Sequence, residues 1–292
     1  MGSSARGLPL PHIPLKARVG FMQGRLSPPV DGRIQAFPWA DWEREFPVAQ
    51  GLGFARMEWT LDYPRALDNP IMTAAGRKRI ATLAAAHGVR VEGLTGDLFM
   101  QRPFWKAQGE ERQELITHLD LVLDACAAVG VGVIVVPLVD NASIQSEAQE
   151  RALEEVFAAR AERLIRDGLI IAFECDYAPQ PLARLIERFP STAFAITYDI
   201  GNSAAAGYAF SEELAAYGPR IGHVHIKDRV RGGGTVPLGS GSADIKGTLQ
   251  RLEREGYGGL YTLQTARAAD GDHAGVLARY RAMALAWLGA EG

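Results

Sequence analysis

The sequence predicts a single (β/α)8 barrel, and three observations support this fold class. Eight short apolar runs rich in strand-forming residues alternate with longer amphipathic segments, and no break in composition divides the chain. The length of 292 residues suits one such barrel, since barrels of about 250 residues are ordinary. We expect residues 18–292 to form this one α/β domain, preceded by a flexible leader over residues 1–17.

The predicted elements follow one another in a regular order. The strands are expected at residues 18–22, 55–59, 89–95, 131–137, 169–174, 193–199, 221–227 and 259–264. The helices are expected at residues 41–52, 73–87, 110–129, 146–167, 179–188, 211–217, 242–256 and 272–288. Thr73 is placed to cap the second helix, and Gly88, Gly130 and Gly168 follow helix ends, as helix termini require. A doubly wound sheet is the alternative, but the first strand leads into FMQGRLSPP rather than G-x-G-x-x-G.

Composition and charge exclude several classes of protein. The net charge of −3, from 31 basic and 34 acidic residues, argues against a nucleic-acid partner. No apolar run approaches the ~18 residues of a membrane span, and no signal peptide is recognisable, so we expect a cytoplasmic protein without a membrane partner. Cys126 and Cys175 form no CxxC pair and are expected to be reduced core residues.

Polar side chains gather where the predicted strands end. Active sites of (β/α)8 barrels lie at the carboxyl ends of the strands, so these side chains are the candidate functional residues. In strand order they are Gln23 and Arg25, Glu58 and Trp59, Asp97, Asp140 and Asn141, Glu174, Asp199, His225 with Lys227 and Asp228, and Gln264.

Three of these residues predict a metal site. Glu174, Asp199 and His225 end consecutive strands, and two carboxylates with one imidazole suit a single divalent cation such as Mn²⁺, Mg²⁺, Co²⁺ or Zn²⁺. Without a cation, two carboxylates buried together would repel each other. His223 and Lys227 share the face of His225, because side chains two residues apart in a strand point the same way. We expect His223 to lie deeper, as a hydrogen-bonded interior residue.

These residues together resemble the sugar phosphate isomerase/epimerase family, whose members are xylose-isomerase-like TIM barrels. The resemblance spans residues 18 to 288, and its most specific segments are HVHIKDR and TVPLGSGSAD. It implies a metal-dependent sugar or sugar-phosphate isomerase or epimerase that works through an enediolate. The shorter segments FMQGRLSPP, IQAFPW, EWTLD, PLVDN, YDIGNSAAAGY and LQTAR resemble a narrower bacterial subgroup.

The resemblance also assigns roles to individual residues. It makes Glu174 both a metal ligand and the base that removes a proton from carbon, with Asp199 and His225 as further ligands. It places Asn202 against the substrate, together with one arginine, either Arg229 or Arg231. The loop length does not show which of the two arginines it is.

Gln264 departs from the family pattern, in which a metal-binding glutamate ends the eighth strand. An amide oxygen can still ligate the metal, but an amide cannot accept a proton. One-base isomerisation is therefore the simplest outcome, and Glu58, Asp97 or Lys227 are the candidates for a second proton-handling group. A lyase or dehydratase acting on a related polyol or keto acid, and a non-catalytic sugar-binding barrel, stay open as alternatives.

The substrate is expected to be a small sugar, phosphorylated or not. Arg25, Arg229, Arg231 and Arg267 can clamp a phosphate bidentately, or they can pair with surface carboxylates. Gln23, Trp59 and Asp97 are further candidates for contact with the sugar. The aromatic segment at residues 103–105 suggests a possible homodimer, since exposed aromatic clusters mark interfaces.

Overall fold

The computed structural model describes residues 13–63 and 65–290, and these form a closed barrel of eight parallel strands. The predicted fold class, a single (β/α)8 TIM barrel, is therefore confirmed. The barrel strands are β1 (Val19–Met22), β2 (Arg56–Thr60), β3 (Arg90–Thr95), β4 (Val133–Leu138), β5 (Ile170–Cys175), β6 (Phe194–Asp199), β7 (Ile221–Ile226) and β10 (Leu260–Leu263). Between β7 and β10, β8 (Asp228–Arg229) and β9 (Thr235–Val236) form a small antiparallel hairpin.

Helices surround the barrel, and short helices also lie within the loops that follow the strands. They are α1 (Leu15–Arg18), α2 (Glu45–Gly51), α3 (Ala74–His87), α4 (Asp97–Gln101), α5 (Gly109–Val129), α6 (Glu147–Ala158), α7 (Ala161–Asp167), α8 (Pro179–Glu187), α9 (Ile200–Ala206), α10 (Phe210–Tyr217), α11 (Ile245–Arg254) and α12 (His273–Leu288). Short 3₁₀ turns occupy Ala66–Asp68, Pro70–Met72, Asp140–Ala142 and Gly218–Arg220.

The predicted strands agree with the observed ones to within two residues at each end. The prediction of a single helix over residues 146–167 is wrong, because the helix is interrupted between α6 and α7. The short helices α1, α4 and α9 were not predicted, since none is long enough to show an amphipathic repeat. Helix α9 depends instead on a cap, in which Asp199 Oδ1 accepts a hydrogen bond of 2.8 Å from the backbone of Asn202.

The core lies between the strands and the helix layer. Phe157, Phe173 and Phe194 meet there edge-on or stacked, with ring centroids 5.4 to 6.1 Å apart. Phe104 and Trp105 also belong to this core, and Trp105 donates its indole hydrogen to the carbonyl of Ala142. The exposed aromatic cluster that suggested a homodimer is therefore absent at this segment.

Three further expectations concern the predicted leader, a membrane span and the two cysteines. Most of the predicted leader lies outside the described residues, while α1 covers its last residues and Arg18. No helix among residues 13–63 and 65–290 combines the length and the apolar character that a membrane span requires. Both Cys126 and Cys175 are free thiols.

Candidate functional site

Three acidic and imidazole side chains converge at the carboxyl ends of β5, β6 and β7. Glu174, Asp199 and His225 are buried, and one potential ligand atom from each lies within 4.8 Å of the other two. His225 Nδ1 is 3.4 Å from Glu174 Oε2 and 3.9 Å from Asp199 Oδ2, yet it forms no hydrogen bond. The three residues that the sequence grouped are therefore neighbours in space, and His225 Nδ1 lies close to both carboxylates.

Asn202 and Arg229 form a support beside this cluster. Asn202 donates from Nδ2 to Glu174 Oε1 at 2.6 Å, and Arg229 donates from Nη1 to Asn202 Oδ1 at 2.7 Å. The cap that starts α9 places Asn202 one turn beyond Asp199. The residues predicted to contact substrate thus reach the site, and in this structure they orient Glu174.

Lys227 lies on the other side of Asp199. Its ammonium group is 2.6 Å from Asp199 Oδ2 and donates to Gln264 Oε1 at 2.8 Å. The amide oxygen of Gln264, which the resemblance makes a metal ligand, is thus occupied by a lysine. Gln264 would have to leave Lys227 in order to ligate a cation with that oxygen.

A chain of amides connects Gln264 with Asp97 across the mouth of the barrel. Gln264 Nε2 donates to Gln35 Oε1 at 3.0 Å, and Gln35 Nε2 donates to Asp97 Oδ2 at 2.7 Å. The pKa of Asp97 is raised to about 7, mainly because the carboxyl group is buried and secondly because the Asp62 carboxylate is nearby. Sequence reasoning missed Gln35, although it lies in the segment IQAFPW that carried part of the resemblance.

Glu58 lies inside the barrel rather than at its mouth. Its carboxylate accepts hydrogen bonds from His223 Nε2 at 2.7 Å and from His225 Nε2 at 3.0 Å. Burial alone would raise the pKa of Glu58, but the two imidazoles outweigh it and lower the pKa well below its usual range. Because both of its oxygens are engaged inside the barrel, Glu58 is unsuited to remove a proton from a substrate carbon at the mouth. His223 is the interior, hydrogen-bonded histidine that the sequence predicted.

Burial and neighbouring charges shift the pKa of each residue of the cluster. Burial alone would lower the pKa of His225, but Glu58 and Glu174 raise it to about 10. Burial raises the pKa of Asp199, and Lys227 only partly offsets that effect. For Glu174, burial is likewise the largest effect, but His225 and Lys227 together lower the pKa below its usual value.

Three of the four arginines that were candidates for a phosphate clamp donate hydrogen bonds to backbone carbonyls of loops. Arg25 donates to the carbonyls of Thr265 and Ile34 at 2.9 and 2.8 Å. Arg267 donates to the carbonyls of Ile34 and Ser27, at 2.8 and 2.7 Å. Two guanidinium nitrogens of Arg229 share the carbonyl of Gly233. Arg231 is exposed, and its guanidinium lies beside Gly207 at the end of α9.

Trp59 and Gln23 are both fully buried. Glu58 points inward, so the next residue of β2, Trp59, points to the helix layer, where it is fully buried and donates to Asn69 Oδ1 at 2.9 Å. The expectation that Trp59 contacts the sugar is corrected on this ground. Gln23 is also fully buried, and its Oε1 accepts a hydrogen bond from the backbone of Thr60.

The fold and this cluster define a (β/α)8 barrel with a candidate cation site at its carboxyl-terminal mouth. A model of the xylose isomerase-like TIM barrel matches residues 46–283. The chain therefore belongs to the xylose isomerase-like TIM barrel family, as the resemblance predicted. No curated protein matches the sequence.

Solved structures with the same fold include a xylose isomerase domain protein, an epimerase and a zinc-binding protein. A xylose isomerase domain protein from Planctomyces limnophilus has a TM-score of 0.69 and 18% identity, over 92% of this chain and 96% of that one. The 3-keto-D-glucoside 4-epimerase YcjR from E. coli has a TM-score of 0.67 and 18% identity, over 94% and 99%. The IOLI protein with a bound zinc atom has a TM-score of 0.69 and 16% identity, over 93% and 98%.

Proposed function

We propose that this protein is a divalent-metal-dependent isomerase or epimerase that acts on a small sugar in the cytoplasm. The observation that carries the proposal is the convergence of Glu174, Asp199 and His225 around an unpaired His225 Nδ1. The epimerase named among the structural neighbours, and the zinc atom bound by another, support the same class of chemistry.

The donor set of the cluster fits one divalent cation. Two carboxylates and one imidazole are ligands that Mn²⁺, Co²⁺ and Zn²⁺ accept in proteins, and the cation would displace the proton that the raised pKa of His225 keeps on the ring at neutral pH. His225 Nδ1 is buried without a hydrogen bond, so a cation there would give it the partner that it lacks. When bound, the cation would supply Lewis-acid stabilisation of the negative charge that develops on the substrate's carbonyl oxygen.

Glu174 is the group suited to remove the proton from the carbon next to that carbonyl. Its lowered pKa keeps the carboxylate ionised at neutral pH, and Asn202 fixes one of its oxygens. Arg229 in turn holds Asn202, so the direction of the base is set by two hydrogen bonds in series. Burial of the site excludes bulk water, which strengthens each of these contacts.

The choice between isomerisation and epimerisation depends on a second proton-handling group. Glu58 is engaged by two histidines, and Lys227 is held between Asp199 and Gln264. Asp97 stands apart from these, with a pKa raised to about 7 and a hydrogen bond from Gln35. We propose one-base isomerisation as the main reaction, with Asp97 as the candidate acid if epimers form.

The experiment is a screen of aldoses and ketoses in D₂O with added Mn²⁺, read by NMR. We expect deuterium to enter the carbon next to the carbonyl of one sugar class, and the exchange to stop when a chelator removes the metal. Exchange that continues after chelation would contradict a metal-dependent enzyme. Sugar binding without metal uptake or exchange would favour the sugar-binding barrel, for which the Lys227–Asp199 ion pair is the supporting observation.

We expect unphosphorylated sugars to be better substrates than their phosphates. The guanidinium groups of three of the four candidate arginines already donate hydrogen bonds to backbone carbonyls. The mouth also carries several carboxylates, which repel a phosphate dianion. The value of kcat/KM for D-fructose should exceed that for D-fructose 6-phosphate by about tenfold or more, which corresponds to ~1.4 kcal/mol. A preference for the phosphate would show that these arginines, or Arg231, rearrange around it.

A further inference from the structure

Glu58 connects the two histidines of β7 across the interior of the barrel. It lies on β2, and each of its oxygens accepts from a different imidazole, Oε2 from His223 and Oε1 from His225. All three side chains are at most 2% exposed. Charge-assisted hydrogen bonds in such a dry interior are stronger than those at the surface.

The surrounding strands are shaped to hold Glu58 in this position. Thr95 donates a hydrogen bond to Glu58 Oε1 from β3. Gly93 on the same strand leaves room for the side chain, because a Cβ there would lie 3.2 Å from Glu58 Cγ. On the far side, Thr262 Oγ1 lies 3.2 Å from His223 Nε2. The carboxylate is therefore fixed from β3 and β7.

This arrangement determines which nitrogen of His225 faces the cation site. An ionised carboxylate only accepts hydrogen bonds, so the nitrogen that contacts Glu58 carries a hydrogen, and that nitrogen is Nε2. When a bound cation displaces the proton of Nδ1, the ring is neutral and the lone pair belongs to Nδ1. Nδ1 is the atom that lies 3.4 Å from Glu174 and 3.9 Å from Asp199.

We propose that Glu58 is a positioning residue, which fixes the ring orientation and the tautomer of His225 so that Nδ1 is presented to the cation. The proposal rests on the metal site of the proposed function and replaces the role of second base that the sequence suggested for Glu58. Carboxylate partners of metal-binding histidines typically contribute 10- to 100-fold to metal affinity, about the size of effect expected here.

Glu58, His223 and His225 also satisfy the spacing of a metal site themselves, within 4.8 Å of one another. Their facing atoms are already paired with each other, however, so a second cation would have to displace both histidine hydrogen bonds. The group is therefore assigned to support the cluster that includes Glu174 and Asp199.

The first test measures the affinity of the chain for Zn²⁺ and Mn²⁺ by calorimetry in the Glu58→Gln variant. Glutamine keeps the volume, but its amide nitrogen cannot accept a hydrogen bond, so one histidine contact is lost. We expect the dissociation constant to rise by about 10- to 100-fold. Glu213→Gln is the matched control, since Glu213 is another buried glutamate that accepts several hydrogen bonds, from Tyr198, Ser203 and Tyr217. Equal affinities in wild type and Glu58→Gln would overturn the proposal.

The second test needs no stable variant and no turnover. Nitrogen-15 NMR of the Zn²⁺-loaded wild-type chain should show a hydrogen on His225 Nε2 and the metal on Nδ1. A hydrogen on Nδ1, or metal bound through Nε2, would overturn the role of Glu58. A wild-type chain that takes up neither ion would refute the metal-dependent function instead. In that case an Nε2 of His225 without a hydrogen in the metal-free wild type would also refute the positioning role.

Discussion

The Glu174→Gln variant is expected to lose turnover by about 10² to 10⁴-fold, the usual effect of removing a general base. Glutamine keeps the shape of the side chain and an oxygen to accept the hydrogen bond from Asn202, so the fold should survive. It cannot take a proton from carbon, however, because an amide is not a base at neutral pH. The measurement is solvent-deuterium exchange into the accepted sugar, made at saturating metal so that weaker ion binding does not limit the rate.

The buried Glu213→Gln variant serves as the control for this experiment, and it should retain wild-type exchange. Circular dichroism of both variants should match the wild type. Near-normal exchange in Glu174→Gln would move the role of base to Asp97, whose pKa is raised to about 7 by burial.

The His225→Ala variant is expected to lose the bound ion altogether. Purified wild-type chain, stripped and reloaded, should contain about one divalent ion, because one such ligand set holds one ion. Removing the imidazole leaves two buried carboxylates, of which Asp199 is already paired with Lys227. Elemental analysis after gel filtration measures the ratio of metal to protein directly. His225 is a better target than Asp199, whose other oxygen caps α9.

His118→Ala is the matched control, since it removes a histidine from α5, on the outside of the barrel. It should bind the ion as the wild type does. Unchanged metal content in His225→Ala would show that the ion, if present, lies elsewhere in the chain.

The sequence predicted the fold and the central cluster because both depend on local patterns. Alternating apolar runs and amphipathic helices gave strand positions within two residues, and the carboxyl ends of parallel strands necessarily share one end of a barrel. Glu174, Asp199 and His225 therefore had to be neighbours once their strands were assigned. The inward direction of Glu58 implies the outward direction of Trp59 by the same alternation, which the expected sugar contact of Trp59 overlooked.

The pairings within the site were not predictable, because they join residues distant in sequence. Glu58 and His225 are 167 positions apart, and Gln264 and Gln35 are 229 apart. Nothing local in the sequence indicates that Lys227 donates a hydrogen bond to the side-chain oxygen of Gln264. Nor does it indicate that Arg25 and Arg267 donate hydrogen bonds to backbone carbonyls. Such partners depend on loop conformations that only the assembled barrel defines.

Anomalous diffraction from crystals grown with Mn²⁺ or Zn²⁺ tests the central claim most directly. We expect a single anomalous peak between Glu174, Asp199 and His225, with His225 bonded through Nδ1 at ~2.0–2.1 Å for Zn²⁺. Glu58 should stay hydrogen-bonded to Nε2 on the opposite side of the ring. The claim would be contradicted by crystals that contain the ion at another position, or by crystals without an anomalous peak in which Lys227 still bridges Asp199 and Gln264.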